Sequence, residues 1–112
     1  MLTEEVAMSA MQIILHAGDA RVKVMQALES LEKFDVAEAE KLLKEAEIEI
    51  TEAHKYQTVE LQREANGEDA EFTVLLTHAQ DTCMAVCSEF NIAQHLVRMT
   101  KALDERFKSL EK

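Results

Sequence analysis

The 112-residue chain contains no proline and only two glycines, Gly18 and Gly67. Proline removes a backbone donor and clashes with the preceding turn, and glycine is the usual helix terminator, so their scarcity leaves long helices permitted almost throughout. Strictly alternating β-branched runs are missing, while apolar residues recur at spacings of three and four. The fold class is therefore read as all-α.

Local signals divide the chain into three helices. Thr3 followed by EEV reads as an N-cap with acidic residues in the first turn, where the helix dipole favours them. The first helix is expected to run to about Lys33 with a core stripe of Val6, Met11, Ile14, Leu15, Val22, Met25 and Leu28. Asp35 reads as the next N-cap, with Glu38 three residues on in a capping-box-like pattern. The second helix follows from Val36 to about Ala65, carrying Ala39, Leu42, Leu43, Ala46, Ile50, Ala53 and Leu61 inward against an acidic outer face. The NGED segment breaks it, with Asn66 and Gly67 expected in left-handed conformations. The third helix begins after Thr73 and continues close to the C-terminus. At about 1.5 Å per residue each helix is on the order of 45 to 55 Å long. Short connections make an antiparallel three-helix bundle, a single domain over residues 1–112.

Charge narrows the possible partners. Twenty-two acidic against twelve basic residues give a formal net charge of −10, which repels phosphate backbones, excludes nucleic acid and favours a basic protein partner. The N-terminal residues lack the pattern of a secretory signal, and no run approaches the roughly 18 apolar residues of a membrane span, so a cytoplasmic location is expected. Cys83 and Cys87 have no second cysteine pair to complete a zinc site and read as small buried side chains in a reducing compartment.

The third helix has more apolar surface than one bundle can use. One seam, Leu76, Ala79, Cys83, Val86, Phe90, Ala93 and Val97, supplies a core face. A second seam, Val74, His78, Asp81, Ala85, Ser88, Ile92, Leu96, Met99 and Leu103, lies elsewhere on the cylinder and has no partner within three helices. Self-association through this face under closed rotational symmetry follows as an expectation. Carboxylates of Asp81 meeting at such an axis would need protonation or a bridging cation such as Mg²⁺; otherwise Asp81 points to solvent. His78, one turn earlier, is either an interface histidine or a metal ligand, base or nucleophile.

The string HAQD at 78–81, preceded by LLT and followed by Met84, resembles the signature of the lactose/cellobiose-type enzyme IIA family of the bacterial sugar phosphotransferase system. MQIILHAGDAR from Met11, EAHKYQT from Glu52 and EANGE from Glu64 are similar to other landmarks of that family, in order along nearly the whole chain. The resemblance implies a homotrimer, a nine-helix bundle. It implies that His78 is the tele-phosphohistidine carrier and that Asp81 meets its symmetry mates around one Mg²⁺ per trimer. It implies transfer from the phosphocarrier HPr to a cysteine of the IIB component, and through it to the membrane component IIC, during disaccharide uptake, with no sugar bound by this chain. Gln80 is a possible supporting donor, although helix geometry turns it away from His78. Family members commonly carry histidine and leucine where this chain has Thr82 and Cys83.

Two other classes compete. An acidic helical bundle that keeps the trimer and binds partners without phosphotransfer would tolerate loss of His78. A histidine-phosphotransfer domain of two-component signalling normally has lysine three residues after its histidine, where Asp81 stands. His16 and His54 read as packing or hydrogen-bonding residues, His95 as a seam-margin residue, and Gly18 as a point where another helix packs closely.

Overall fold

The computed structural model describes residues 2–67 and 74–111. Within them the chain forms α1 (Leu2–Glu32), α2 (Val36–Ala65) and α3 (Val74–Leu110), packed up, down and up into a rod of 66 × 20 × 18 Å. The all-α expectation holds, and α2 has the expected bounds. α1 already begins at Leu2, so Thr3 lies inside the helix rather than capping it. Glu68 and Asp69 of the NGED turn, and Thr73, lie outside the described residues. No helix among the described residues is long and apolar enough to cross a membrane.

The α1–α2 turn is closed by backbone bonds. Asp35 N–H donates to the Ser30 carbonyl at 3.0 Å and Phe34 N–H to the Leu31 carbonyl at 2.9 Å, the paired bonds of a Schellman motif. This geometry requires a left-handed residue, and Phe34 supplies it at φ 55°. A side chain with a Cβ is strained there by about 1–2 kcal/mol, and the Phe34 ring in turn packs edge-on to Phe107 of α3, with centroids 6.2 Å apart. Asp35 caps α2 as expected, its Oδ1 accepting from Glu38 N–H at 3.2 Å. The reciprocal half of a capping box is pre-empted, because the Asp35 N–H is already committed to Ser30.

At the other end of α2, Gly67 alone takes the left-handed conformation, at φ 77°. Asn66 remains at φ −80° and donates its N–H to the Gln62 carbonyl at 2.9 Å, so the expectation that both residues turn left-handed is corrected. One left-handed residue suffices to lead the chain out of a helix.

The α3 core seam is buried at every expected position from Ala79 to Val97, with Leu76 half-buried against the same core. The core of α1 differs from expectation. Its inward face is Val6, Ala10, Ile13, Ala17, Ala20, Val24, Ala27 and Leu31, whereas Met11, Leu15, Val22 and Met25 are exposed and Ile14 and Leu28 are half-buried. Small side chains let three helix axes approach closely, so the bundle selects the alanine face over the bulkier one. Leu61, expected inside α2, is also exposed.

Polar links tie the helices at their margins. Arg21 donates from Nε and Nη2 to Glu89 Oε1 and Oε2 at 2.9 and 3.0 Å, a bidentate bridge from α1 to α3. Arg63 Nη1 donates to Glu5 Oε2 at 2.7 Å, joining the end of α2 to the start of α1 and holding the Glu5 carboxyl below its usual range. Among the described residues, and apart from its chain neighbours and the backbone of its own helix, no atom lies within 4 Å of where a Cβ on Gly18 would stand. The expected close helix contact at Gly18 is therefore absent within the chain, because this residue shares the outward face of Met11, Leu15, Val22 and Met25.

Candidate functional site

The second α3 seam is open to solvent along its length. His78, Asp81, Ala85 and Ser88 are exposed, and so are the large side chains Val74 (87%), Ile92 (59%), Met99 (60%) and Leu103 (48%). Four residues make just over one helical turn, and Ala79, fully buried against Ala10, Ile13 and Ala53, fixes the azimuth of the turn that carries His78. The inward pull of Ala79 and Cys83 thus aims His78 and Asp81 outward together.

Among the described residues no hydrogen bond or ion pair engages the His78 ring or the Asp81 carboxylate. The His78 carbonyl accepts from Thr82 Oγ1 at 2.8 Å, so Thr82 bonds back along the helix instead of supporting the imidazole. Gln80 is half-buried and lies on another face, as helix geometry requires. An exposed imidazole is chemically competent: in its neutral form one ring nitrogen carries a lone pair for a phosphorus or a metal.

The remaining histidines are engaged elsewhere. His16 Nδ1 donates to Glu49 Oε2 at 2.7 Å, and its ring stacks with Tyr56 at 6.1 Å between centroids. Arg98 Nη2 donates to His95 Nδ1 at 3.2 Å on the α3 surface. These placements match packing and hydrogen-bonding roles.

One constellation was not legible beforehand. His54 of α2 reaches the α3 cysteines, its Nε2 3.1 Å from Cys87 Sγ, and the ligating atoms of His54, Cys83 and Cys87 all lie within 4.8 Å of one another. Cys83 Sγ also stands 3.8 Å from Gln57 Oε1. Burial pushes the Cys83 thiol up to about 11 with a contribution from neighbouring Cys87, and burial likewise raises Cys87. The four-residue spacing of the cysteines was visible in the sequence, but His54 is 33 residues from Cys87 and only helix packing brings it there.

A three-helix rod with an outward-facing histidine and aspartate on its longest helix defines a small all-helical bundle, and comparison with known proteins makes the class specific. Residues 8–101 match the family described as PTS system, Lactose/Cellobiose specific IIA subunit. The chain is 36% identical over 105 residues to the lichenan-specific phosphotransferase enzyme IIA component of Bacillus subtilis, covering 94% of this chain and 96% of that protein. It is 39% identical over 98 residues to the lactose-specific EIIA component of Lactococcus lactis, covering 88% and 93%. The crystal structure of the cellobiose-specific enzyme IIA from Bacillus anthracis superposes with a TM-score of 0.83 at 37% identity, over 88% of this chain and 90% of that one. PtcA from S. mutans superposes with a TM-score of 0.88 at 34% identity, over 90% and 99%. The chain belongs to the lactose/cellobiose-specific IIA family of the phosphotransferase system.

Proposed function

We propose that the protein is a phosphocarrier that accepts a phosphoryl group from phospho-HPr on His78 and passes it to a cysteine of a IIB component, serving uptake of a disaccharide through a membrane IIC component. The observation that carries the reading is the exposed, unengaged His78 in HAQD, one turn from Asp81 in a chain of this family. In the first step a lone pair of neutral imidazole, at Nε2, forms a P–N bond while the donor's bond to phosphorus breaks. In the second step the cysteine sulfur forms a P–S bond and His78 regains its lone pair. Phosphorylation adds about −1.5 to −2 charge by analogy with phosphorylated hydroxyl side chains, so the ring must stay open to solvent or meet hydrogen-bond donors in the assembly.

The apolar seam around His78 and Asp81 supports assembly as a homotrimer with α3 at the axis. The exposed Asp81 carboxylate is an oxygen donor suited to a hard cation, so three copies would hold one Mg²⁺ and have their mutual repulsion offset by it. Donors to a phosphorylated His78 come from a neighbouring copy under this arrangement, since Thr82 is turned to the backbone and Gln80 to another face. A cytoplasmic location and direct docking of HPr and IIB beside His78 belong to the same reading.

The test is incubation with phosphoenolpyruvate, enzyme I and HPr, followed by intact-mass measurement. One acid-labile phosphoryl adduct per chain is expected, and none in His78→Ala with helical content unchanged. Equal labelling of the variant would place the acceptor elsewhere.

A further inference from the structure

We propose that His54, Cys83 and Cys87 form a binding site for a thiophilic divalent cation, Zn²⁺ in particular, clamping α2 to α3. Sequence spacing and packing geometry converge on it. The cysteines stand at i and i+4 of α3, a spacing that stacks two side chains on one helical face and that helical histidine pairs use to chelate zinc. The third ligand arrives from the opposing helix, with His54 Nε2 3.1 Å from Cys87 Sγ. All three ligating atoms fall within 4.8 Å of one another. Zn–S bonds of about 2.3 Å and Zn–N bonds of about 2.0 Å in a tetrahedron place ligand atoms roughly 3.5–3.8 Å apart. Side-chain rotation that opens the 3.1 Å His54–Cys87 pair slightly and draws in the wider spacings therefore brings the cluster to bonding geometry.

The donor set selects the ion. Two thiolates and an imidazole match a borderline-soft metal and disfavour Mg²⁺, which takes oxygen ligands. On binding, two Zn–S bonds form as two S–H protons leave to solvent, no electron changes hands, and the two thiolates balance the metal charge. The burial gradient orients the site: Cys83 is buried, Cys87 is half-buried and His54 is exposed. Protein therefore closes one side of the ion and leaves a fourth position open on the other.

The position of the clamp gives it a consequence. The α2–α3 interface is the least extensive of the three in the bundle. Cys83 adjoins Ala79 in the small cluster that sets the azimuth of the His78 turn. A metal bridge there stiffens the end of the bundle beneath the outward-facing histidine. The site is carried by its own geometry and does not depend on what His78 does.

The test starts from full-length protein, reduced, stripped with chelator and desalted, then titrated with Co²⁺ as an optical stand-in for Zn²⁺. Expected are one Co²⁺ per chain, a tetrahedral d–d spectrum and a thiolate-to-cobalt charge-transfer band, all displaced by Zn²⁺, together with a rise in thermal midpoint on adding Zn²⁺. His54→Ala alters an exposed side chain and keeps the fold; it is expected to weaken binding at least about tenfold. Cys87→Ser is expected to do the same and to reduce the charge-transfer intensity. An octahedral spectrum without the thiolate band would assign the metal to surface carboxylates and overturn the proposal. Binding unchanged in both His54→Ala and Cys87→Ser would overturn it equally.

Discussion

The two apolar faces of α1 point in opposite directions and differ in side-chain size. Inside lie four alanines together with Val6, Ile13, Val24 and Leu31; outside lie Met8, Met11, Leu15, Val22 and Met25, each between 45% and 68% exposed. An isolated bundle maximising burial would turn the larger side chains inward, since each contributes about 1.5–3 kcal/mol when fully buried. In α1 the bundle does the reverse; α3 buries Val86, Phe90 and Val97 but likewise leaves Ile92, Met99 and Leu103 outside. Small residues inside bring the axes together, and bulky residues outside remain available for another copy. The inner faces make the subunit, and under the proposed function the outer faces are where copies of it would meet.

The comparison breaks most visibly from within. Val86→Asp puts a carboxylate where the side chain is fully buried, at a cost of several kcal/mol. Loss of the cooperative thermal transition and of helical circular dichroism is expected. A folded variant with an ordinary midpoint would mean that the inner seam is not the core.

The outer seam should respond differently to the same kind of insult. Ile92→Lys combined with Leu103→Lys is expected to leave helical content intact and shift sedimentation from a trimer to the 12.7 kDa chain. If the seam were ordinary solvent-facing surface, the pair would change stability by only about 0.5 kcal/mol and sedimentation not at all.

Two smaller changes sharpen the contrast. Asp81→Leu removes the one carboxylate of this seam and is expected to strengthen assembly and make it indifferent to chelator; weaker assembly would show that the cation contributes more than carboxylate repulsion and desolvation cost. Gly18→Ala has opposite expected signs in the two states. In the free chain, where the Cβ meets nothing within 4 Å, alanine stabilises α1 by about 0.5–1 kcal/mol. In the trimer the added methyl is expected to lower the melting midpoint if another helix covers this face. A uniform stabilisation at all concentrations would leave Gly18 outside any interface.

Much of the site was legible because it depends on local rules. The α3 seams follow from helical periodicity, so Ala79, Cys83, Val86, Phe90, Ala93 and Val97 are buried as expected while His78 and Asp81 share the opposite exposure. Asp35 caps α2 because its short carboxylate reaches Glu38 N–H three residues on. The less legible features involve a choice that local rules leave open. Phe34 takes the left-handed turn position where sequence preference would place glycine, because the Schellman closure and the contact with Phe107 outweigh its strain.

Taken alone, the sequence determined helical fold class, helix bounds to within a residue or two, a surplus apolar face on α3 and the family to which HAQD points. Those are matters of spacing and of short motifs, which act over one or two turns of a single helix. Only the tertiary structure decided which of the two apolar faces of α1 turns inward, because that depends on how closely three axes can approach when alanines line the contact. It also decided that His54 meets Cys83 and Cys87, since the mutual rotation and register of α2 and α3 are set by the packing of the whole bundle and leave no trace in the residues adjoining any one of the three.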